Sequence, residues 1–232
     1  MGRGCILVEG HGEKDAAPVL VKRLAKELGL PARSWDAIRF KQIRTVGDAE
    51  QASAVLRRQA DCDCALVLQD EDDGCPAESG PRIAGWLRTA QLPFPCAVVL
   101  AHREYEVFFL PCLPLMAGQP LRDERNVERP GLVEGAQFVG DPESLRGVKE
   151  WLSRQFGECR SYKPTLDQVV LTRMIDFPTL RESGLPCFAT LENALRFLAS
   201  GEPGAVYPPS AATQESQPQA GHSARPRRGR KR

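Results

Sequence analysis

Cys5-Ile6-Leu7-Val8-Glu9-Gly10-His11-Gly12-Glu13 is the stretch whose reading decides the fold. Four apolar residues run without alternation. They stop at a carboxylate, a turn with two glycines and a second carboxylate. Helical spacing follows at once over residues 14–28, kept by the apolar positions Ala17, Val19, Leu20, Val21, Leu24, Ala25 and Leu28. An unbroken apolar strand that leads into a helix is buried on both faces, as in a parallel sheet. Such a strand delivers its acid to the rim where open α/β sheets build their sites.

The same unit recurs downstream. Residues 37–45 alternate loosely through Ile38, Phe40 and Ile43 and predict a second strand. Gly47-Asp48 predicts the N-cap of a helix over 49–60. Residues 64–68 form another apolar run, ending at Gln69-Asp70-Glu71-Asp72-Asp73-Gly74. A helix is expected over 79–90, then a strand over 96–101 that leads into His102-Arg103-Glu104-Tyr105-Glu106. The order β-α-β-α-β-α-β predicts an α/β fold: a Rossmann-like four-stranded parallel sheet flanked by helices. We expect this core over residues 1–116. Residues 117–200 read as an insertion and helical extension, with helices over 148–156, 165–175 and 188–198. Residues 201–232 read as a disordered tail ending in arginines.

Composition excludes several classes. Hydrophobic residues make up 42% and charged residues 26%, as in a soluble globular protein. No apolar run approaches the ~20 residues of a membrane span, and no secretory signal is visible, so cytoplasmic residence without a membrane partner is expected. The eight cysteines lack paired C-x-x-C spacing and read as reduced, mostly buried residues rather than zinc ligands. The tail carries Arg225, Arg227, Arg228, Arg230, Lys231 and Arg232 against Glu202 and Glu215, net +4. That leaves −3 for the rest of a chain whose total is +1. Nucleic-acid binding by the body would therefore have to be local, metal-assisted or helped by the tail.

Three strands end in acids: Glu9 with Glu13, Asp70 with Asp72, and Glu104 with Glu106. Parallel strands bring these ends together. Two carboxylates ~4 Å apart repel by about 4 kcal/mol at an effective dielectric of 20. A crevice holding several must take up protons or a cation. Oxygen donors without cysteine or histidine favour magnesium, manganese or calcium.

Glu9-Gly10-x-x-Glu13 after a strand, with Asp70-x-Asp72 two strands later, resembles the Toprim module. That module is shared by topoisomerases, bacterial primases, recombination mediators and the overcoming-lysogenization-defect nucleases. Val8-Glu9-Gly10, Asp70-Glu71-Asp72 with Cys75-Pro76, Ala101 to Glu106 with Phe108, and Tyr162-Lys163-Pro164 with Asp167-Gln168 resemble a bacterial Toprim-like family, domain of unknown function family 4276. The resemblance implies a Toprim fold and a Mg²⁺- or Mn²⁺-dependent nuclease. Glu9 would be general acid/base or metal ligand. Glu13, Asp70 and Asp72 would hold metal, and Glu104 and Glu106 follow from the narrower family's own block. Lys163 would stabilise charge on the phosphate. His11 could contact substrate or metal. Arg103 reads equally as a phosphate clamp or as a partner that neutralises the acids. The resemblance further implies a nucleic-acid substrate, DNA ahead of RNA, an ABC-class ATPase partner and a role in antiviral defence. The chain has no G-x-x-x-x-G-K-[ST] loop of its own. The competing expectation is a non-catalytic metal-binding or regulatory module that binds a partner protein.

Overall fold

The computed structural model describes residues 2–157 and 160–209. Seven strands and eight α-helices follow in chain order among them: β1 Gly2–Val8, α1 Glu13–Glu27, β2 Arg33–Arg39, α2 Val46–Arg57, β3 Cys62–Asp70, α3 Pro76–Thr89, β4 Cys96–Ala101 and α4 Leu113–Met116. The remainder are β5 Leu121–Arg122, β6 Glu128–Arg129, α5 Val148–Gln155, α6 Val169–Met174, α7 Phe177–Glu182, α8 Pro186–Ser200 and β7 Val206–Tyr207. A 3-10 helix, Tyr105–Cys112, precedes α4, and a π-helical turn, Pro164–Gln168, precedes α6.

The main sheet has the order β2-β1-β3-β4-β7 and every pair in it is parallel. Its interior strands are buried on both faces, and alternate residues feed two cores. Ile6, Val8, Leu66, Leu68 and Val99 pack with α1, α6 and α8. Leu7, Ala65, Val67, Val98 and Leu100 pack with α2 and α3. This is the α/β sheet covered by helices that the unbroken apolar runs predict, with one more strand than expected.

The chain leaves β1 to one side to form β2, then returns to the other side of β1 to form β3. The strand order therefore reverses between β1 and β3. At such a switch point the two loops at the strand ends part and leave a crevice. Glu9 follows β1 directly and Asp70 is the last residue of β3, so the crevice opens between them.

Several boundaries differ from expectation. β2 covers Arg33–Arg39 rather than 37–45. It is an edge strand with alternating exposure, and the apolar Phe40 and Ile43 belong to the loop beyond it. That loop is pinned by buried Gln69, which accepts from the Ile43 N–H (3.1 Å) and donates to the Lys41 carbonyl (2.9 Å). The cap of α2 is Thr45, not Gly47-Asp48. Thr45 and Asp48 form a reciprocal capping box in which Asp48 is the third residue of the helix. The expected helix over 165–175 divides into the π-turn and α6. The sheet has five strands, not four, because Val206–Tyr207, inside the segment read as disordered, pairs with Cys96 and Ala97 of β4. The remainder of that tail, residues 210–232, lies outside the described residues. Seven cysteines are free, five of them buried, in keeping with the reduced reading. Cys159 lies outside the described residues. Among those residues no helix is long and apolar enough to cross a membrane.

Candidate functional site

The turn after β1 is held from inside. Glu13, buried at the start of α1, reaches back so that its Oε2 accepts the backbone N–H groups of Glu9 (3.1 Å) and Gly10 (3.2 Å). A Cβ on Gly10 would stand 2.5 Å from Glu13 Oε1, so glycine is what lets this carboxylate lie against the turn. Gly12 is closer still to its surroundings: a Cβ there would meet Gln168 Oε1 and stand 2.6 Å from the Pro164 carbonyl oxygen. The π-turn is thereby seated against the β1–α1 turn. Between them lies a cleft of about 320 Å³, lined among others by Glu9, His11, Glu13, Asp70, Lys149 and Gln168.

Asp70 turns inward from the end of β3. Its Oδ1 accepts the Tyr105 N–H (2.8 Å), and its Oδ2 lies 3.5 Å from Lys149 Nζ. The same ammonium lies 3.3 Å from Glu104 Oε1 and 3.4 Å from Glu106 Oε2. Glu104 Oε2 also accepts the Lys149 backbone N–H (3.1 Å). One lysine on the first turn of α5 thus joins acids from two strand ends. Glu106 is fully buried, and its Oε1 accepts from the Tyr162 hydroxyl (2.8 Å) and Gln168 Nε2 (3.0 Å).

Charge and burial set the protonation of this cluster. Burial pushes the Glu106 carboxyl up to about 7, against the pull of Lys149 and the Tyr162 hydrogen bond. Burial, and then the charge of Glu13, raise Asp70 well above the ordinary aspartate range. Burial works against the Lys149 ammonium, but Glu106, Asp70 and Glu104 together outweigh it and raise its pKa. The crowding that demands a cation or protons is answered here by an internal ammonium and by the raised proton affinity of Glu106 and Asp70.

Glu9 stands apart from that network. It is half-buried, has no ion pair among the described residues, and its carboxyl is raised by burial and by the charges of Glu13 and Asp72, with Arg44 and Lys149 opposing. Asp72 is exposed on the loop after β3.

The expected substrate contacts are placed as follows. His11 is exposed beside the cleft, with Arg39 Nη1 2.5 Å from its Nε2. Arg103 is turned to the Asp72 backbone carbonyl, and its Nε is buried without a partner among the described residues. Lys163 is exposed, and its backbone N–H donates to Asp167 (2.8 Å). The residues of its motif that face inward are its neighbours Tyr162, Asp167 and Gln168, with Asp167 gripped by Arg160.

Lys149, Tyr162 and Gln168 carry roles that sequence reasoning did not assign. Lys149 did leave a signal. A lysine two residues after Gly147, at the positive end of a helix, is electrostatically misplaced unless an acid faces it; Glu104 does.

The donor set fits a hard cation in part. Glu104 and Glu106 are committed to Lys149, Tyr162 and Gln168. Glu13 spends one oxygen on the turn. Asp70 shares Lys149 and accepts the Tyr105 N–H but still lines the cleft with Glu9, while Asp72 stands exposed on the loop beyond; neither Glu9 nor Asp72 has an ion pair among the described residues. Among the described residues, no three His, Cys, Asp or Glu side chains are grouped as a ready metal cage.

Fold and site together define a doubly wound α/β protein with an acid-lined crevice at its switch point. The model of the family described as Domain of unknown function (DUF4276) matches residues 8–196, and the chain belongs to that family. No curated protein and no solved structure matches it.

Proposed function

We propose that this chain is a divalent-metal-dependent hydrolase of phosphodiester bonds, of Toprim type, acting on nucleic acid. The observation that carries the reading is the placement of Glu9 and Asp70 on either side of the switch-point crevice, with more carboxylate than Lys149 can neutralise. Glu9, Asp70 and Asp72 would hold Mg²⁺ or Mn²⁺. When bound, such an ion draws a phosphate to an acidic rim and stabilises the oxygens of an in-line displacement. Glu13 fixes the turn that carries Glu9. Lys149 holds Asp70 in place and keeps a positive charge at the wall of the cleft, where a phosphate oxygen would come within reach. In this reading it takes the charge-stabilising role first given to Lys163. An ABC-class ATPase partner, a defence function and cytoplasmic residence accompany the proposal through the Toprim resemblance alone.

A second reading is favoured by the same lysine. A carboxylate cluster neutralised from within suits a non-catalytic module that binds a partner protein. The test incubates the protein with plasmid DNA and with RNA, in magnesium and in manganese, beside Glu9→Gln and Asp70→Asn. Cleavage by the wild type that both variants lose supports the hydrolase. No cleavage with any metal, with the ATPase partner present as well, sinks it and leaves the binding module.

A further inference from the structure

A second cleft, of about 250 Å³, opens on the α2/α3 side of the same rim. It lies between the loop after β2, the loop after β3 and the first turns of α3, and Arg44 and Arg82 line it. We propose that this cleft is a phosphate subsite, in which Arg44 and Arg82 hold a backbone phosphate of the strand whose scissile bond lies at Glu9 and Asp70. This rests on the hydrolase reading above and adds where the rest of the substrate lies.

Neither guanidinium has an acid partner among the described residues. Arg82 donates to Ser79 Oγ (3.2 Å) and lies 5.8 Å from the centre of the Trp86 ring. Arg44 Nε donates to Gln42 Oε1 (2.6 Å), and Gln42 Nε2 donates to the Asp70 carbonyl (2.6 Å). A chain of two hydrogen bonds therefore joins the Arg44 guanidinium to the backbone of the central acid. Arg44 is also near enough to oppose the rise in the Glu9 carboxyl.

Two acids share the cleft, and both are already engaged. Glu71 Oε1 accepts the Gly74 N–H (2.9 Å), and Asp73 pairs with Arg146 (2.8 Å). The free nitrogens of two planar guanidiniums match the geometry of phosphate oxygens. A strand crossing the rim would pass from the Lys149 cleft, over Glu9 and Asp70, to these arginines. The positive subsite offsets the repulsion that the acids exert on its backbone.

The experiment measures binding of a labelled single-stranded DNA oligonucleotide across a salt series in EDTA, where nothing is cut. It compares wild type, the double variant Arg44→Gln/Arg82→Gln and the surface control Arg58→Gln. Cleavage by the wild type in manganese is recorded in parallel. We expect the double variant to bind about tenfold more weakly. Its slope of log affinity on log salt should be shallower by about 0.7 for a single lost phosphate contact. A double variant that matches the control in both overturns the subsite; if the wild type cuts, the hydrolase reading stands. The expected loss in a protein that cuts nothing with any metal, the ATPase partner present as well, keeps the subsite and overturns the hydrolase reading. Both arginines are exposed, so the variants should fold, and a melting curve checks that they do.

Discussion

Lys149 Nζ lies 3.4 Å from Oε2 of Glu106, a carboxylate with no solvent exposure. Between the two residues run the rest of the 3-10 helix, α4, the β5–β6 hairpin and the loop into α5, and the contact ties the far end of that stretch back to the strand ends. Removing the ammonium leaves Asp70, Glu104 and Glu106 facing one another. Breaking a fully buried pair costs about 3–5 kcal/mol, and Lys149 is about one-third exposed, so solvent screens part of this. Lys149→Met should lose about 2–3 kcal/mol at neutral pH in denaturant unfolding. Much of the loss should be regained in acid, where the carboxylates are neutral.

Glu106 gives the protein a pH dependence of definite sign. Its ordinary pKa is 4.5 and its folded pKa about 7. Between those values the folded state holds a proton that the unfolded chain has released. The group's contribution is therefore unpenalised below about 4.5, falls as pH rises through the window, and is at its worst above about 7. The full span is on the order of 3 kcal/mol. Glu106→Gln should flatten this decline when unfolding free energy is measured from pH 4.5 to 8. An unaltered profile would show that the carboxyl titrates normally.

Gly12→Ala should damage the site through shape alone. The added methyl meets Gln168 and the Pro164 carbonyl, and overpacking of this kind costs about 1–3 kcal/mol. The π-turn must move off the β1–α1 turn, so Gln168 should release Glu106. Faster amide exchange at residues 165–168, with the rest of the sheet protected, would be the signature.

Thr45→Ala removes one half of the capping box of α2. The expected cost is about 1 kcal/mol, read as a shifted unfolding midpoint with an unchanged denaturant slope. Because the loop before α2 carries Arg44, the same variant should loosen the arginine cleft and leave Lys149 and its acids untouched.

The architecture was legible where burial is symmetrical. β1, β3 and β4 lie inside the sheet, so their sequences are unbroken apolar runs that stop at the rim. β2 is at an edge. Its exposure alternates, and the apolar residues beyond it shifted the expected strand downstream. β7 has only Val206 and Tyr207, among glycines and prolines, too short a run to carry a period. The rim acids were legible because each follows a readable strand. Their internal cation left only the signal of a lysine at the positive end of a short helix, which reaches the site through tertiary packing alone. In the Tyr162-Lys163 motif, chemistry drew attention to the lysine, whereas the fold buries its neighbours and leaves it outside.

The claim that the crevice serves a metal is tested most directly by titrating manganese into the purified protein and following the heat, since this needs neither substrate nor partner. The account predicts saturable binding by the wild type, weakened about tenfold or more in Glu9→Gln and unchanged in Lys163→Met. Manganese binding of equal strength in the wild type and Glu9→Gln, or no binding by the wild type, would contradict it.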